Sequence, residues 1–181
     1  MGHLAGWCSL VHFDTAEHEI TDEETLLLSI PKLATPWKII HEFKPTDYSL
    51  TPDPIYNSLP PNTSLIITTS SGQYFFGVQF NDPNIGLHIL DYSNTFDWFE
   101  SDHLPELGEW TRIEISLEEG EEDGKHIISL SVGGKDSLRK EVKLGDRLLS
   151  ELDGIEIYMG GTDKVHHQPG YIRGLVVLEK Q

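Results

Sequence analysis

Cysteine is nearly missing from this chain of 181 residues: Cys8 stands alone, so no internal disulfide can form. A reducing compartment fits that, and so does a secreted domain held by its core. Alanine is almost as scarce, at Ala5, Ala16 and Ala34 only, while there are 16 Gly and 10 Pro. Alanine is the best helix former and proline the worst, so this mix disfavours a mainly helical protein. Cationic side chains are few, 13 Lys and Arg against 30 Asp and Glu, for a net charge of −17. Such a chain offers no basic face to a phosphate backbone and none to an anionic membrane surface, so neither nucleic acid nor membrane is an expected partner. No apolar run approaches the length of a spanning helix. Residues 1–9 hold neither a basic region nor a long apolar stretch, so no secretory leader is legible in them, although an excised mature domain would look the same. Also missing are a G-x-G-x-x-G or Walker loop and a G-x-S-x-G nucleophile turn. Cys8 and His12, on an extended chain, stand about 13 Å apart, too far for a nucleophile and its base.

What is present is a rhythm of short strands broken by turn residues. Apolar residues make up 38% of the chain, enough for a core, and the length suits one domain over 1–181. Strands are expected at 9–14, 25–30, 37–44, 64–69, 73–80, 85–92, 96–99, 110–117, 125–132, 138–144, 155–159 and 171–178. In 110–117, Thr111, Ile113, Ile115 and Leu117 share one face and Arg112, Glu114 and Ser116 the other. In 155–159, Ile155, Ile157 and Met159 oppose Glu156 and Tyr158. A period of two marks a sheet with one buried side. The runs at 65–68 and 74–80 are apolar on both faces, as central strands are. Asp123-Gly124 and Gly133-Gly134 are hairpin turn signals, and 45–62 is a Pro-rich connection. A single helical turn is expected at 145–152. About a dozen strands in so short a chain give an all-β fold of two antiparallel sheets packed face to face.

The stretch from Trp110 onward carries a family likeness. Trp110-Thr111-Arg112-Ile113-Glu114-Ile115 opens a strand, Val132-Gly133-Gly134-Lys135 closes a hairpin, and Gly170-Tyr171-Ile172-Arg173-Gly174-Leu175 forms the last strand. This resembles laminin-G-like domains and, more broadly, the concanavalin A-like lectin and glucanase jelly roll, over residues 110–178. The resemblance implies a two-sheet sandwich that binds glycans or proteins on a sheet face or rim loops, often with calcium, and some relatives are glycosidases. The C-terminal disulfide common in laminin-G modules has no counterpart here.

Three groups of residues are candidates for a site. Asn94, Asp97, Trp98, Phe99 and His103 combine aromatic faces, on which sugar C–H groups stack, with carboxylate and amide partners for hydroxyls; the plainer alternative makes Phe96 and Trp98 core residues. The connection from Thr162 to Pro169 holds Asp163, His166 and His167 as ligand or metal contacts, although adjacent histidines on an extended chain point apart. Glu151, Asp153 and Glu156 fit the E-x-D-x-x-E strand of a jelly-roll glucanase, which needs two carboxyls roughly 5–5.5 Å apart for retaining chemistry. Calcium has oxygens to choose among in Asp82, Asn84, Asp91, Asn94, Asp97 and Asp163, with no EF-hand pattern and no defined ligand set. Asn62-Thr63-Ser64 is an N-glycosylation sequon. The expectation is a binding module for a glycan or a protein surface, without turnover and with no required cofactor. Its rivals are a glycoside hydrolase using the acidic strand and an interaction module that pairs by its sheet edges.

Overall fold

A computed structural model of the chain describes residues 6–13, 15–21, 23–48, 62–69, 71–72, 74–81, 84–90, 96–101, 103–144, 154–160 and 167–180. Among them the only regular elements are strands, and these form two antiparallel sheets packed as a jelly-roll type sandwich. The strands are β1 (Trp7–His12), β2 (His18–Glu19), β3 (Thr25–Ile30), β4 (Trp37–Pro45), β5 (Asn62–Thr69), β6 (Tyr74–Asn81) and β7 (Asn84–Leu90). They continue with β8 (Phe96–Ser101), β9 (Thr111–Glu119), β10 (His126–Val132), β11 (Lys135–Val142), β12 (Ile155–Met159) and β13 (Gly170–Lys180). The first sheet runs β1-β13-β4-β9-β10-β11, with β2 beside β13; the second runs β3-β12-β5-β6-β7-β8. The helical turn expected at 145–152 lies outside the described residues.

Alternation decides what each sheet buries. On β4, Trp37, Ile39, His41 and Phe43 turn inward while Lys38, Glu42 and Lys44 stay partly exposed. On β9 and β10, Ile113, Ile115, Leu117, Ile128 and Leu130 are wholly buried. Their partners across the layers are Leu65, Ile67, Phe76, Val78, Phe80, Ile155 and Ile157. Two aromatic contacts tie β4 to β6: Trp37 stacks on Phe76 with ring centroids 5.7 Å apart, and Phe43 lies 5.0 Å from Phe80. Each such buried ring contributes about 2–3 kcal/mol over an exposed one.

The turns obey the residues that build them. Gly133 and Gly134 both take positive φ, 60° and 79°, and swing β10 into β11. At the end of β12, Gly160 has φ of +100°, and a Cβ there would meet Glu23 O at 2.6 Å and Thr21 O at 2.9 Å. Only glycine fits that position.

Candidate functional site

The outward face of the first sheet is where its chemistry gathers. Four strands place one residue each in a straight row: Lys38 of β4 opposite Ser116 of β9, Ser116 opposite Ser129 of β10, and Ser129 opposite Arg139 of β11. Neighbouring strands are about 4.8 Å apart, so the backbones of Lys38 and Arg139 stand about 14 Å apart across two small hydroxyl residues. Long side chains at both ends and short ones between make a groove of about 240 Å³. The next row supplies Glu114, Ser131 and Asp136, and Glu118 joins from β9.

The groups in this groove are not equally free. Lys38 Nζ lies 2.7 Å from Glu114 Oε1, and Arg112 reaches Glu114 Oε2 at 3.0 Å. Burial opposes the charge on Glu114, but the hydrogen bonds and charges of Lys38 and Arg112 outweigh it and hold its carboxyl below its usual range. Arg139, Asp136 and Glu118 form no ion pair among the described residues. The Ser129 hydroxyl is buried and has no hydrogen-bond partner among them. A buried hydroxyl without a partner is uncommon and costly.

Beyond this groove on the same face, the aromatic rings already carry cations. The Arg173 guanidinium sits 4.0 Å from the Trp110 ring centre, and Lys44 lies 4.8 Å from both Trp110 and Tyr171. Arg173 Nε also donates to Glu42 Oε2 at 2.7 Å, and Glu17 stands 3.6 Å from Lys44 and 3.7 Å from Arg173. Trp7 carries Lys38 at 4.9 Å. What this face offers a ligand is therefore hydroxyl, carboxylate and guanidinium groups.

Of the residues singled out from sequence, those that are described lie away from this groove, although His103 lines a separate cavity beside the β10–β11 turn. Asp97 and Trp98 lie on β8, the edge of the second sheet, opposite Ile89 and His88 of β7. Phe99, partly buried, packs against the core, and His103 donates its backbone N–H to Ser101 Oγ at 3.2 Å. His167 bridges Thr63 of β5, three strands away from β8 in the second sheet. Asn94, His166, Asp163, Glu151 and Asp153 lie outside the described residues. Glu156 occupies the outward face of β12, where Tyr158 donates a 2.6 Å hydrogen bond to its carboxylate. That bond, with burial second, pushes the Tyr158 hydroxyl up to about 12. Of the calcium oxygens, Asp82, Asp91, Asn94 and Asp163 are outside the described residues, within which no group of three or more His, Cys, Asp or Glu gathers. Cys8 and His12 are on β1, opposite Glu179 and Val176. The sequon runs into the buried Thr63 and Ser64 of β5. In the sequence, Ser116 stands out only within the polar alternation of 112, 114 and 116, which reads as a solvated face, and Lys38, Ser129 and Arg139 carry no site signal.

No family model matches the chain, and no curated protein does either. Solved structures match in shape. The CBM40 of a Ruminococcus gnavus IT-sialidase, bound to α2,3-sialyllactose, aligns over 96% of this chain and 94% of its own at 12% identity and a TM-score of 0.60. Domain 4 of AbnA, an extracellular arabinanase of Geobacillus stearothermophilus in complex with arabinotriose, aligns over 86% of this chain and 66% of its own, with 14% identity and a TM-score of 0.52. The botulinum neurotoxin serotype D binding domain aligns over 94% of this chain at 13% identity and a TM-score of 0.52, and the match spans 39% of its length. At these identities the likeness establishes the sandwich fold.

Proposed function

We propose that this chain is a non-catalytic binding module that holds a glycan in the groove between Lys38 and Arg139. One observation carries it: the row of Lys38, Ser116, Ser129 and Arg139, long side chains flanking two short ones, with an Arg139 fork that has no ion pair among the described residues. A sugar presents hydroxyls that both donate and accept. The groove has acceptors in Glu118 and Asp136, a donor fork in Arg139, and hydroxyls that do either. A carboxylate-bearing sugar gains a bidentate contact with Arg139. The glycans held by the CBM40 and by the arabinanase domain support this direction. The narrower kinship, with laminin-G-like and concanavalin A-like domains, rests on the motifs of residues 110–178. The module needs no cofactor; calcium enters as an accessory ion, read by the thermal shift between calcium and chelator. A protein ligand on the same face would be a basic one, because the chain carries −17.

The test is a glycan array of neutral and sialylated sugars followed by calorimetry. Retention of a sugar by the native chain and its loss in Arg139→Ala supports the proposal. Retention undiminished in Arg139→Ala places the ligand elsewhere, with Asp97 and Trp98 of β8 as the next residues to mutate.

A further inference from the structure

The β10–β11 turn has a depression on each side. On the sheet face lies the groove, to which this hairpin gives Ser131 and Asp136. On the other side lies a larger cavity of about 430 Å³, to which the same turn gives Gly133 and Lys135. Leu104 and Pro105 provide apolar surface there, and Glu106, Glu109 and Thr111 provide carboxylates and a hydroxyl. The segment that carries these groups is fixed in place. Gly108 N donates to Pro45 O at 2.8 Å, Tyr48 Oη donates to Pro105 O at 2.7 Å, and Leu104 packs against the core. Glu106, Glu109 and Lys135 line this cavity with no ion pair among the described residues. The volume falls in the range of small-molecule sites, and the mixture suits a sugar ring: C–H groups on Leu104 and Pro105, hydroxyls on the carboxylates and ammonium.

Between the two depressions the crest is made of glycine. A Cβ on Gly134 would meet nothing within 4 Å, and one on Gly133 would meet only the Thr111 methyl at 3.9 Å. The two crest residues themselves carry no side chain. The geometry points to a second subsite: a glycan with one ring in the groove crosses the Gly133-Gly134 crest and seats its next ring against Glu106, Glu109 and Lys135. The inference rests on the glycan proposal above and adds that the ligand is an oligosaccharide of at least two rings.

The experiment uses the full chain and an array in which neutral and carboxylated sugars each appear as mono- to tetrasaccharides. Calorimetry then follows on the shortest and longest members of any retained series. Affinity is expected to rise about tenfold or more with length, the worth of one or two added hydrogen bonds. Glu109→Gln with Lys135→Ala is expected to erase that increment and leave the monosaccharide affinity unchanged. Gly133→Asn, which tolerates positive φ, raises a side chain on the crest and should do the same. Arg139→Ala should weaken every length. Length-independent affinity, or a length increment that survives both rim variants, overturns the second subsite and leaves the groove standing. No retained glycan at all, or an Arg139→Ala protein that binds as the native one does, overturns both.

Discussion

Ser116 and Ser129 stand directly opposite each other on β9 and β10, and their small side chains set the floor of the groove between Lys38 and Arg139. The depth of the groove is a matter of side-chain length, so it should respond to single substitutions without disturbing the core beneath.

Arg139→Ala is the first of these. Arg139 is exposed and has no ion pair among the described residues, so its loss should change stability by less than about 0.5 kcal/mol. Charge-assisted hydrogen bonds are worth about 1.5–3 kcal/mol, so glycan affinity should fall roughly 10- to 100-fold. Calorimetry beside a thermal melt separates the two effects.

Glu114→Gln tests the internal pairing. It releases Lys38 and Arg112 from the carboxylate that neutralises them. A carboxylated glycan should then bind a few-fold tighter, while a neutral one changes little. Stability should drop by no more than about 1 kcal/mol, since these pairs are partly exposed.

His41 makes stability depend on pH. It lies fully buried on β4, both ring nitrogens lack partners among the described residues, and burial lowers its pKa from 6.5 to about 4. The unfolded chain therefore takes up a proton between those values while the folded one does not. Stability is lost as pH falls through that window, by up to about 1.4 kcal/mol per unit and about 3 kcal/mol by pH 4. His126, also lowered by burial, acts in the same sense. Urea unfolding of His41→Leu from pH 7 to pH 4 should give a visibly flatter profile than the native chain. An unchanged slope would assign the effect to other groups.

Gly160→Ala should cost at least about 2 kcal/mol, because a Cβ would press on two backbone oxygens at an unfavourable φ. The drop in melting temperature measures it.

Most strands were legible because alternation is a local property. Ile113, Ile115 and Leu117 announce their face within a single strand, and the both-sided apolar runs of β5 and β6 do fall side by side within the second sheet. The pair His18–Glu19 was not legible, since two residues carry no period. The groove was hidden for a different reason. It exists only because β4 pairs with β9 and β10 with β11, and a row through Lys38, Ser116, Ser129 and Arg139 joins residues a hundred positions apart. Local pattern says which face a serine takes but not which lysine stands beside it. That Lys44 would lie over Tyr171 was likewise not legible, because their pairing is set by the β13–β4 register.

The stacking of Lys38 on Trp7 gives the groove an optical handle. Trp37 is sealed in the interior, so solvent quenchers will not reach it. A ligand that draws the Lys38 ammonium off the indole should alter the field at Trp7, and occupancy should then be readable, with no label attached, as an ultraviolet emission change that a Trp7→Phe variant lacks.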